Sequence, residues 1–174
     1  INITTYSLAT SNCSANLYSF YEYKRNITTS NSTLGSNCTK RIEVKDANNT
    51  YVKTICLLTT SYNYTVATAK AAANGMYLYA ITNKLDYNAI LMFYNSIFPY
   101  DLSRSIRING QFIGDNFYVS NPNKSVLYSE ARPIRLGLDC LKIYGNAITK
   151  TTYIVEVKCS ENIGYSFTEY VKET

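Results

Sequence analysis

Ile134-Arg135-Leu136-Gly137-Leu138-Asp139-Cys140 and Tyr153-Ile154-Val155-Glu156-Val157-Lys158-Cys159 are the two stretches on which the reading of the fold turns. In each, apolar residues recur at every second position, the side-chain period of a strand. Ile134, Leu136, Leu138 and Cys140 would share one face of the first; Tyr153, Val155, Val157 and Cys159 would share one face of the second. Working outward, Ile42 and Val44 precede the turn-forming run Asp46-Ala47-Asn48-Asn49, and Val52, Thr54, Cys56 and Leu58 follow it. Arg107–Phe112 contains Asn109-Gly110, whose tolerance of positive φ suits a type I′ hairpin turn. Tyr77–Ile81, Ala89–Tyr94, Phe117–Ser120, Ser125–Tyr128 and Tyr165–Val171 complete the set of expected strands. Thr65–Asn74, with its alanines and Gly75 to cap it, suits a helix or a strand equally. Short strands between turn signals predict an all-β chain, an antiparallel β-sandwich of immunoglobulin-like kind. The expected organisation is one domain over residues 13–174, with residues 1–12 as an extended N-terminal arm.

The five cysteines are Cys13, Cys38, Cys56, Cys140 and Cys159. Cys140 aligns with Leu138 and Cys159 with Val157, so a bridge between those strands is geometrically reasonable. Cys38 and Cys56 flank the hairpin around residues 46–49 and form the second candidate pair. Cys13 is then left unpaired or bonded to another chain. Spacing alone leaves other pairings open. Disulfides on this scale imply an oxidising compartment, and each contributes about 2–4 kcal/mol.

A second pattern concerns modification. Seven Asn-x-Ser/Thr triplets begin within residues 1–65, at Asn2, Asn12, Asn26, Asn31, Asn37, Asn48 and Asn63. Beyond residue 65 only Asn123 qualifies. Such triplets accept glycans when a chain crosses a membrane, and the glycan needs a solvent-facing site. The expectation is an extracellular, cell-surface glycoprotein with one sugar-covered region and one bare region, and no cofactor beyond the covalent glycans. A chain that starts at Ile1 rather than Met is expected to have lost a leader or to have been cut from a longer protein.

Several function classes are set aside. The net charge is +5, but the 17 Lys and Arg residues are scattered, so no basic stripe for nucleic acid is visible. The longest purely apolar run, Ala89–Tyr94, is too short to span a bilayer. No histidine is present, which rules out the usual Ser-His-Asp, Cys-His and His-metal arrangements, and no phosphate-cradling glycine motif occurs. An enzyme is not expected. Without histidine, stability is also expected to change little between pH 5 and 8.

The chain holds 18 tyrosines. Tyrosine suits a half-buried sheet, and it is also enriched at interfaces. Residues 76–120 are tyrosine-rich and free of acceptor triplets, which nominates Tyr77 and Tyr94 as contact residues. With its dense triplets, scarce charge, absent histidine and Ile1-Asn2-Ile3-Thr4 start, the chain resembles the thread-type surface filaments of thermoacidophilic archaea. That resemblance implies a glycosylated sandwich subunit joined head-to-tail by donor-strand insertion, for adhesion or cell-cell contact. Ile1, Ile3, Tyr6 and Leu8 would be the donor residues, and the partners would be copies of the chain and other cells or surfaces. The alternative is a receptor-binding domain of a viral or parasite surface glycoprotein, with its bare tyrosine-rich face as the binding site.

Overall fold

The structure, a computed structural model, describes residues 38–45, 52–59, 61–98, 104–119 and 125–172. The chain is predominantly β. Nine strands are present among the described residues: β1 Lys40–Lys45, β2 Val52–Leu58, β3 Tyr77–Leu78, β4 Ser105–Ile113, β5 Asn116–Val119, β6 Ser125–Val126, β7 Cys140–Asn146, β8 Thr151–Val157 and β9 Ser166–Lys172. Helices α1 (Tyr64–Ala73) and α2 (Lys84–Ile97) lie between β2 and β4.

The strands form a single sheet ordered β1-β2-β9-β4-β5-β6, with β3 beside β9 and a β7–β8 hairpin on β4. All neighbours are antiparallel except β4 and β9, which meet in parallel at Arg107 and Ser166. The backbone of Tyr79 bridges this join: its N–H reaches Phe167 O and its carbonyl accepts from Asn109 N, both at 2.9 Å. Among the described residues the sheet is mixed and unclosed, and helices rather than a second sheet cover its faces. That differs from an antiparallel immunoglobulin-like sandwich. On one face Ala89, Ile90, Phe93 and Tyr94 of α2 pack over Ile55, Phe167, Ile106 and Leu141. On the other, Tyr64 and Ala67 of α1 pack over Leu78, Cys140 and Val157.

Local chemistry explains both helices. The Asn63 side chain accepts from Val66 N at 2.9 Å, capping α1. At its other end Gly75 N bonds Ala72 O and Met76 N bonds Ala71 O, the Schellman arrangement, with Gly75 at φ 68°. Of the two readings open for residues 65–74, the helical one holds. Ala89–Tyr94, expected as a strand, lies inside α2. Its apolar run extends a stripe at Asp86, Ala89, Ile90, Phe93 and Tyr94, a helical spacing, behind an Asn83 cap that accepts from Asp86 N at 2.8 Å.

Three further expectations change. Asn109-Gly110 is no hairpin turn: β4 runs straight through it with a bulge between Ile108 and Gln111, and Gly110 lets Leu141 press against the backbone. The turn falls at Gly114-Asp115, where Ile113 pairs with Asn116 and Gly114 has φ 64°. Residues 134–139 are no strand, because β7 starts only at Cys140. In β8 the buried residues are Ile154, Glu156 and Val157, while Tyr153 is exposed, so the expected face is largely reversed.

Candidate functional site

Residues 134–139 form a loop whose outward display is held in place by one buried carboxylate. Glu156, inward-facing in β8, accepts Leu136 N at 2.7 Å and Leu138 N at 2.9 Å on one oxygen. Its other oxygen receives Arg135 Nη1 at 2.6 Å. The Arg135 guanidinium in turn lies 3.6 Å from the centroid of the Phe112 ring, a cation–π contact. The loop thereby stands in solvent: Ile134 is 85% exposed and Leu136 69%.

Beside this loop runs a groove of about 470 Å³ between residues 130–136 and β8, with Tyr87 of α2 contributing to its lining. Among the described residues β8 pairs only with β7, so its other edge, from Thr152 to Glu156, faces the groove. Thr152 Oγ1 donates to Asn95 Oδ1 at 2.9 Å and ties the strand to α2. Tyr153 accepts from Thr151 Oγ1 at 2.6 Å and lies 3.0 Å from Thr149 Oγ1; these hydroxyl contacts hold its phenol below the usual value. Such an edge, lined by aliphatic and tyrosine side chains, can take up an extended peptide by strand addition.

A second cluster lies inside the fold. Lys53 of β2, Asp86 of α2 and Glu169 of β9 meet under α2, all three fully enclosed. Lys53 Nζ pairs with Glu169 Oε2 and sits 3.3 Å from Asp86 Oδ1. It also donates to Ala80 O at 2.9 Å and lies 4.6 Å from the centroid of the Tyr79 ring. Asp86 Oδ2 accepts from Thr82 N at 3.0 Å and Thr82 Oγ1 at 2.8 Å. Glu169 Oε2 accepts Ala80 N at 3.2 Å, while Oε1 has no hydrogen-bond partner. Burial pushes the Glu169 carboxyl up to about 7, against the opposing pull of Lys53. On the sheet's other face Arg107 is also buried, donating to Glu161 O at 2.6 Å, and burial lowers its pKa.

Both expected cysteine pairs are present, Cys38–Cys56 with Cα atoms 5.4 Å apart and Cys140–Cys159 with 5.1 Å. They point to an oxidising, non-cytoplasmic compartment. Asn63 is the one acceptor asparagine among the described residues. Its Oδ1 caps α1, which leaves the amide nitrogen for a glycan. Asn2, Asn12, Asn26, Asn31, Asn37, Asn48, Asn123, Cys13 and the donor residues Ile1, Ile3, Tyr6 and Leu8 lie outside the described residues. Tyr94 is no contact residue: it is buried, and its hydroxyl donates to Arg104 O at 2.7 Å. Tyr77 stands exposed on β3. Among the described residues no His, Cys, Asp or Glu side chains converge as a metal site, and no helix is long and apolar enough to cross a membrane. No protein-family model and no curated protein matches the chain.

The groove and the triad were missed in the sequence. A signal existed for Asp86, a carboxylate on the apolar stripe of α2, and for Glu156, a carboxylate within an alternating strand.

Proposed function

We propose that the chain is an extracellular recognition domain that holds an extended segment of a protein partner in the groove beside β8. The observation that carries this reading is the loop at residues 134–139. A buried glutamate is committed to fixing it, and the result is two large aliphatic side chains held in water next to a strand edge that pairs with no other described strand. Exposed apolar groups on a fixed backbone mark contact surfaces. The seven acceptor triplets before residue 66 fit an extracellular glycoprotein, and none falls among the residues that line the groove.

The test is panning of a peptide-display library on the folded, glycosylated protein and on an Ile134→Asp/Leu136→Asp variant. Wild type should enrich a family of peptides with apolar residues at alternate positions. The variant should not, while unfolding at the same temperature. Equal enrichment by both proteins removes the groove as the binding site.

The filament subunit remains as a second reading, favoured by the same open edge, which a strand from another copy would fit. A donor strand, however, completes a sandwich that lacks one of its core strands. Here β9 already occupies the centre of the sheet, and the residues around it are enclosed by the helices. Uniform fibres in negative-stain micrographs of native material would bring the filament reading forward; dispersed particles would retire it.

A further inference from the structure

The buried cluster of Lys53, Asp86 and Glu169 is more than an ion pair needs. Two carboxylates facing one ammonium leave an excess negative charge in an apolar interior, and a proton on Glu169 removes it. The site then holds one ammonium, one carboxylate and one carboxylic acid. Moving a single proton from Lys53 to Asp86 gives an amine and two carboxylic acids, with the same proton count and no charge at all. An enclosed, low-dielectric site lowers the cost of reaching that neutral form. An uncharged lysine amine is a nucleophile, and the carbon it faces is already polarised.

We propose that Lys53 and Asp86 condense into an intramolecular isopeptide bond, with Glu169 as the proton relay. The Lys53 Nζ, 3.3 Å from Asp86 Oδ1, attacks Asp86 Cγ through its lone pair. Charge then develops on Asp86 Oδ2, where the N–H and O–H of Thr82 already donate and can stabilise it. Glu169, in contact with the same amine, accepts a proton from Nζ and returns one to the departing Oδ1 hydroxyl. A C–N bond forms, a C–O bond breaks and one water leaves. No oxidant, cofactor or activating group is consumed, and loss of water from an enclosed site opposes the reverse reaction. The partnerless Oε1 of Glu169 is the atom left available for the proton. The bond would join β2 to the first turn of α2 and is independent of what the groove binds.

Tryptic mapping of the folded, full-length protein after reduction tests this. The expected result is a branched peptide joining Lys53 to Asp86, lighter by one water than the sum of its parts, with no cleavage after Lys53. A Lys53→Arg variant keeps the cation but has no primary amine there, and should give only linear peptides. Glu169→Gln, if folded by circular dichroism, should accumulate the linear form before the branched one. Cleavage after Lys53 throughout folded wild-type material overturns the proposal whatever the variants do. A branch through Glu169 in place of Asp86 overturns the assignment of roles.

Discussion

At Glu169 the physical chemistry corrects an expectation drawn from composition. Without histidine, little titration was foreseen between pH 5 and 8, yet this buried carboxyl titrates near 7 instead of 4.5. Its folded value is raised, so the folded state binds the proton more tightly than the unfolded chain does. The associated stability is complete below the ordinary value and is lost as pH rises through about 7. Denaturant titrations at intervals across that window should show stability falling with rising pH, and Glu169→Gln should flatten the profile. A flat wild-type profile would contradict the burial argument. Condensation of Lys53 with Asp86 removes both the charge that lowers Glu169 and the charge that raises it, and burial, the largest cause, leaves the sign unchanged. The triad was missed because its members lie in three distant segments, and a sequence shows no such meeting. Gly110 poses the same problem: Asn-Gly reads as a turn locally, whereas the glycine is needed because a Cβ would fall 2.4 Å from Leu141 Cδ1. Gly110→Ala should therefore cost about 1–3 kcal/mol of unfolding free energy, measured by denaturant midpoint.

Elements were legible where the signal was local. The Gly75 stop of α1 and the two cysteine pairings were written in the residues. Two expected strands are absent. Residues 134–139 alternate in sequence but form a loop that leaves Ile134 and Leu136 in solvent, and the apolar run at residues 89–94 belongs to α2, which buries Ala89, Ile90, Phe93 and Tyr94. Asn63 allows the cap and the glycan to be separated. Asn63→Asp keeps an oxygen acceptor for Val66 N and should hold stability within about 0.5 kcal/mol, apart from any glycan effect. Thr65→Ala destroys the acceptor triplet and leaves the cap atom in place. If Asn63 is glycosylated, both variants should run lighter on a gel by one glycan; unchanged mobility in both would show an unoccupied site. Removing Cys140–Cys159 as a double alanine variant should cost roughly 2–4 kcal/mol, because that bridge fixes the start of β7 to the segment after β8.

For the whole molecule, the decisive contrast is between a strand that completes a core and a strand that joins an edge. A core-completing donor leaves its acceptor with exposed apolar interior when it is absent. An edge-joining peptide leaves the fold intact and occupies only the groove beside β8. The described core is enclosed under α1 and α2, so the second situation is the one the architecture supports. Deleting residues 1–10 separates the two. On the recognition reading, the shortened protein should unfold at the same temperature, stay the same size in sedimentation, and retain peptide capture through Ile134 and Leu136. On the filament reading, the deletion should convert fibres to monomers. Loss of assembly together with a falling unfolding temperature would show that the arm belongs in a partner's core, and the groove would then be a secondary feature of a polymer.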